Sequence, residues 1–161
     1  MQTKSKRISV LLIALVFLIS SCKANISRNQ DGSFNVETTI SQQELQDVIS
    51  AAIADPLIKD LTVSLQSGYV SVSGTRERLN DSSKTDTLSF RLDLGVSNGQ
   101  LTSSISDAQL DGALIEQSRV DHWNETIANR IANIGQKNPN STLQSVVITP
   151  SAVTMNWTAT R

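Results

Sequence analysis

Cys22 and His122 are the single cysteine and the single histidine of this 161-residue chain, and the richest chemistry would have to start from them. A general base needs a nucleophile within hydrogen-bond reach, and no Gly-x-Ser-x-Gly elbow or comparable motif accompanies Asp121-His122-Trp123. About 100° of helical rotation separates His122 from Trp123, which places the imidazole at the margin of an apolar stripe, half exposed. One histidine cannot complete a zinc site. Asp107 and Asp111 lie four apart, and Asp81 and Asp86 share a polar stretch. Neither spacing has the Asp-x-Asp-x-Asp-Gly rhythm of a calcium loop, so solvated acids are the expectation. The triplets starting at Asn25, Asn80, Asn124, Asn140 and Asn156 match the glycosylation sequon and read as chance matches. These residues predict a protein that is not an enzyme and holds no metal or other cofactor.

Cys22 points to a different chemistry. The chain opens with Lys4, Lys6 and Arg7 and no acid, continues with an apolar run from Val10 to Ile19, and reaches Ser20-Ser21-Cys22. That is the charged, apolar and small-residue order of a secretory signal peptide, too short for a comfortable membrane span. Leu18-Ile19-Ser20-Ser21-Cys22 resembles the bacterial lipobox. The resemblance implies cleavage before Cys22, a diacylglycerol on its sulfur and a possible further acyl chain, typically palmitate, on the new amine. Each buried acyl methylene adds roughly 0.8 kcal/mol, and several chains anchor a protein stably. The predicted organisation is a signal peptide over 1–21, an acylated Cys22 with a flexible tether over 22–33, and one domain over 34–161. Lys23 follows the cysteine where an Asp would favour retention at the inner membrane, so in a host with two membranes the outer one is favoured.

The domain itself is bounded by composition. With 39% hydrophobic and 18% charged residues and three prolines, the chain describes one globular domain. A lone cysteine excludes a disulfide framework. Cleavage removes three of the 14 basic residues, leaving 11 against 15 acidic ones and a net side-chain charge of −4. A nucleic-acid partner would need a basic stripe instead.

The elements that must position these residues follow from periodicity. Phe34, Val36, Thr38 and Ile40 alternate as a short strand. Ser41-Gln42-Gln43-Glu44 is a capping box, followed by an apolar stripe of Leu45, Val48, Ile49, Ala52 and Ile53. Asp55-Pro56 ends that helix. Leu61 to Gly74 reads as a hairpin turning at Ser67-Gly68, and Asn80 to Lys84 as a loop. Leu88, Phe90, Leu92 and Leu94 alternate cleanly, and Asn98-Gly99 turns the chain into a returning strand over 101–105. A second helix is predicted over 113–134, with Val120, Trp123, Ile127, Ile131 and Ile134 on its apolar face and Gly135 at its C-cap. A hairpin over 146–157 closes the chain. The predicted class is α+β: a meandering antiparallel sheet curled around two amphipathic helices, in the order (β)-α-ββββ-α-ββ.

Leu61-Thr-Val-Ser-Leu-Gln-Ser-Gly-Tyr-Val-Ser-Val-Ser-Gly-Thr-Arg76 is similar to the hairpin of a BON domain, but that domain continues into a helix where Thr85 to Leu94 alternates. The larger pattern resembles the small tubular lipid-binding lipoproteins of the TULIP-like superfamily, of the YceB-like and LmeA-like kind. It runs from Thr39-Ile40-Ser41-Gln42-Gln43-Glu44-Leu45 through this hairpin, the strand pair at 88–105 and the helix after Asp111-Gly112 to the final strands at 145–157. The resemblance implies a phospholipid or similar amphiphile held in an apolar groove, with its acyl chains against Val48, Ile49, Leu88, Phe90, Leu92, Ile127 and Ile131. Burying ten methylenes is worth about 8 kcal/mol gross. The same residues can equally fill an ordinary core, which would leave a structural or interaction lipoprotein of the cell envelope without a ligand. Trp123 and Trp157 fit either a groove mouth or that core.

Overall fold

The computed structural model describes residues 24–160. Their class is α+β, with two antiparallel sheets and two helices. The chain begins with a hairpin of β1 (Ala24–Arg28) and β2 (Phe34–Ser41). The tether expected over 22–33 is therefore corrected from Ala24 onward. All five β1 residues are exposed, so no burial pattern betrays the strand. It is held by backbone pairing from Ala24 opposite Thr38 to Arg28 opposite Phe34. The connecting turn is braced by Asp31, whose carboxylate accepts from the Ser33 amide at 2.9 Å and hydroxyl at 2.6 Å.

Helix α1 (Gln42–Ile53) starts as its capping box dictates. The Ser41 amide donates to Glu44 Oε2 at 2.8 Å, and the Glu44 amide to Ser41 Oγ at 3.3 Å. The helix buries Leu45, Val48, Ile49, Ala52 and Ile53. It closes at Ala54, whose left-handed backbone (φ 49°, ψ 33°) lets its amide bond back to the Ser50 carbonyl.

A meander follows: β3 (Ile58–Leu65), β4 (Val70–Arg78), β5 (Asp81–Ser97), β6 (Gln100–Leu110) and the two-residue β7 (Ala113–Leu114), paired in that order as one five-stranded sheet. The loop expected over 80–84 is largely absorbed into β5 as a bulge, since Arg78 pairs with Asp81 but Glu77 with Thr85. The second helix, α2 (Gln117–Gly135), starts later than expected. Asp111 and Gly112, at φ 52° and 78°, form a two-residue hairpin turn into β7 rather than a helix start. Gly135 is likewise no left-handed cap. It is the last helical residue, and a Cβ there would run into the Met155 side chain and the Thr38 hydroxyl.

Strands β8 (Ser141–Ile148) and β9 (Ala152–Ala159) complete the other sheet, in the order β1-β2-β9-β8. The expected single sheet is thus two, because β2 pairs along its length with β9 from the far end of the chain. Arg28, Phe34, Ala159 and Ser141 align at one end of this sheet, and Ala24, Thr38, Met155 and Val146 align toward the other. Its edge strand β8 lies against β5 and β6. Two turns of the five-stranded sheet are bonded to β8: the Gly68 amide donates to the Ile148 carbonyl at 3.0 Å, and the Leu143 amide to the Gly99 carbonyl at 2.8 Å. The helices pack on each other; α1 also contacts β2 and β3, and α2 contacts β6 and β2. One apolar cluster joins both sheets and both helices.

Candidate functional site

Cys22, Lys23 and the signal segment lie outside the described residues. His122 is exposed on α2 rather than half-exposed. Three of the four acidic residues weighed for calcium pair with cations. Arg78 bridges the two pairs: its Nε donates to Asp86 at 2.5 Å and its Nη2 to Asp111 at 3.1 Å. Asp86 beside it raises the Arg78 guanidinium above its ordinary value. Asp81 takes the Ser83 hydroxyl and the Lys84 ammonium, which hold its carboxyl below the usual range. Asp107, at φ 54°, sits in the bulge where β6 offers an extra residue to β5. Among the described residues, no three His, Cys, Asp or Glu side chains come together to hold a metal.

The seven residues expected to line a groove do converge. Val48 and Ile49 on α1, Leu88, Phe90 and Leu92 on β5, and Ile127 and Ile131 on α2 all belong to the one apolar cluster, each between 0% and 7% exposed. The tryptophans join them in the core. The Trp123 ring lies 5.9 Å from Phe90 at a tilt of 34°, and Trp157 donates its Nε1–H to Thr38 Oγ1 at 3.1 Å. That bond satisfies the one polar atom a buried indole carries.

Two concavities are lined by other residues. The smaller, about 270 Å³, lies between α1 and β3 and includes Gln46, Ser50, Asp55 and Lys59. Burial alone would push the Asp55 carboxyl up; the hydrogen bonds from Arg76 Nε (2.7 Å) and the Leu57 amide (2.9 Å), with the Arg76 charge, hold it below the ordinary range. A carboxylate so occupied is a structural partner and not a poised base. Lys59 is likewise paired, with Glu77 at 3.4 Å.

The larger concavity is a cleft of about 400 Å³ between the C-terminal half of α2, the β5–β6 turn and the start of β8. Asn129, Asn133 and Gln136 fall at i, i+4 and i+7 and so share one helix face. Asn98 and Gln100 flank Gly99 on the opposite wall, with Ser141 and Thr142 between the walls and Leu101, Ala132 and Trp157 as apolar lining. No residue lining it carries a formal charge. Gln136 is held in place, its Nε2 donating to the carbonyls of Ser141 (3.1 Å) and Pro139 (3.4 Å). The turn opposite is fixed by φ of 52° at Asn98 and 73° at Gly99 and by the bond from Leu143. A Cβ at Gly99 would strike Thr142, so only glycine lets the two walls approach this closely.

Sequence reasoning did not single out this cleft. Its one legible signal is the Asn129, Asn133, Gln136 series running beside the Ile127–Ile131 stripe. No protein-family model, no protein of known function and no solved structure matches this chain.

Proposed function

We propose that this chain is a non-catalytic lipoprotein of the bacterial cell envelope, anchored by acyl chains on Cys22, whose domain works through its outer surface over a filled interior. The observation that carries the surface reading is the burial of Val48, Ile49, Leu88, Phe90, Leu92, Ile127 and Ile131 to 7% exposure or less. Those side chains occupy the volume that an acyl chain would need, as in any close-packed interior. The anchor rests on the lipobox-like Leu18-Ile19-Ser20-Ser21-Cys22 and on that cysteine being the chain's only one. Its diacylglycerol makes membrane lipid the first partner, and Lys23 favours the outer membrane of a two-membrane host.

A second reading, an amphiphile carrier of the TULIP-like kind, is supported by the convergence of the same seven residues from α1, β5 and α2 on one nearly all-aliphatic interior. An acyl chain would enter by parting α2 from β6. Two measurements separate the claims. Metabolic labelling with palmitate is expected to mark the wild-type chain and not Cys22→Ser; equal labelling of both removes the anchor. Native mass spectrometry of the full acylated protein, released from detergent after incubation with a bacterial lipid extract, is expected to give no stoichiometric adduct of phospholipid mass. An adduct that disappears in a folded Leu92→Arg variant replaces the surface reading with the carrier.

A further inference from the structure

We propose that the amide-lined cleft between α2, the β5–β6 turn and β8 binds a neutral saccharide of one or two rings. The inference goes beyond the acyl anchor and stands without it. Its starting point is the kind of polar group the cleft offers. Asn98, Gln100, Asn129 and Asn133 present side-chain amides that bond to no other described residue. The held Gln136 keeps a carbonyl oxygen free of described partners. A primary amide donates and accepts at once, and so does a hydroxyl group. Five amide residues bordering one cleft therefore match a ligand whose periphery is a ring of hydroxyls. An ion would be served by only half of each amide.

Charge narrows the ligand further. The lining holds no Lys, Arg, Asp or Glu, although charged residues make up 18% of the chain. Phosphate and carboxylate recognition is built on Arg or Lys, or on the amides at a helix N-terminus. This cleft instead borders the C-terminal turns of α2, where the helix ends at Gly135 and its carbonyls give a partial negative charge. An anionic headgroup is disfavoured there, and a hard cation lacks carboxylates to replace its water. A neutral polyol suffers neither cost.

Size and rigidity agree. About 400 Å³ falls at the lower end of small-molecule sites. Both walls are set before a ligand arrives: one by the left-handed Asn98-Gly99 turn bonded to Leu143, the other by an α-helix whose Gln136 is tied to the β8 entry. Ordering costs on binding are correspondingly small.

The test uses saturation-transfer NMR on the full protein in detergent, with maltose, cellobiose and N,N′-diacetylchitobiose as neutral probes and glucose 6-phosphate as the anionic one. At least one disaccharide is expected to receive saturation from the protein, and glucose 6-phosphate is not. Asn129→Ala/Asn133→Ala removes two exposed amides and is expected to weaken binding about thirtyfold, at roughly 1 kcal/mol for each of two hydrogen bonds. Gln100→Ala on the opposite wall gives an independent loss should the helix variant melt early. The proposal is overturned by no signal from any of the three disaccharides, by equal binding of glucose 6-phosphate, or by a disaccharide signal that persists in both folded variants.

Discussion

Asp55 and Arg76 join the end of α1 to β4 through a 2.7 Å contact between side chains only 20% and 18% exposed. Removing the carboxylate in Asp55→Ala leaves a half-buried guanidinium and the Leu57 amide without their acceptor, a loss of about 2 kcal/mol by the usual worth of charge-assisted bonds, read from urea denaturation. The pH dependence has a definite sign. Because the folded carboxyl lies below its ordinary 3.8, its contribution is fully present above that value and is lost as pH falls through the lower folded pKa. The urea midpoint of the wild type should therefore decline below about pH 4, and Asp55→Asn should remove part of that slope. A parallel acid profile in the variant would show that other carboxylates control it. Ala54 makes the opposite prediction. Its φ of 49° is a conformation that costs an L-residue about 1 kcal/mol and glycine much less. Ala54→Gly should raise the melting temperature, despite glycine's freer unfolded chain.

At the scale of elements, α1 illustrates how a helix serves the sheet beside it. Gln42 and Gln46, one turn apart, offer their Oε1 atoms to the amides of Leu65 (3.5 Å) and Val63 (3.3 Å) on the edge strand β3. An open row of strand amides invites pairing with a second chain; here the helix covers it. Gln46→Ala should cost about 1 kcal/mol and speed amide exchange at Val63 more than at Val72 in the neighbouring β4. Gly135→Ala should cost about 1–3 kcal/mol, the usual range for overpacking, because the new methyl meets Met155 and Thr38; a calorimetric melt measures it. What could be read from sequence was whatever local burial or local chemistry had written. The capping box, the apolar stripe of α1, the alternation in β5 and the Asn98-Gly99 turn each carry their own signature within a few residues. Strand β1 carries none, since an edge strand exposed on both faces buries nothing. Asp111-Gly112 reads locally as the lead-in to a helix, and the pairing of Leu110 with Ala113 makes it a hairpin turn instead. The split into two sheets depends on β2 meeting β9, a contact between sequence-distant residues that no local pattern encodes.

For the molecule as a whole, both tryptophans are shielded, at 5% and 3% exposure, in one cluster that spans both sheets. Tryptophan emission should be blue-shifted and resist iodide quenching until the domain unfolds in a single transition. Quenching in the native state would point to an interior that opens. Leu92→Ala should cost about 2–5 kcal/mol, the usual loss for a buried leucine, by chemical denaturation. The buried seven were recognised as apolar, but periodicity alone does not say whether an apolar face meets a ligand or another side chain. The amide cleft is not legible in the sequence because its walls come from residues far apart along the chain, and exposed Asn and Gln look like any solvated face.

The start of β1 limits how far an acyl-anchored domain would stand from the lipid. Ala24 is two residues beyond Cys22, a reach of about 7 Å even when fully extended. An acylated Cys22 would hold Ala24 within that distance of the bilayer, while β2 and β9 run three residues past it to Ser41 opposite Ala152, about 10 Å at the usual strand rise, so the four-stranded sheet would lean over the lipid with its Arg28 end farther away. The amide-lined cleft, bordered by Ser141 at the Arg28 end of the sheet, would then lie at the end away from the anchor. Such an anchor would restrict heading as well as position. A flexible spacer inserted between Cys22 and Ala24 should leave binding in solution unchanged and slow capture by a surface of immobilised sugar.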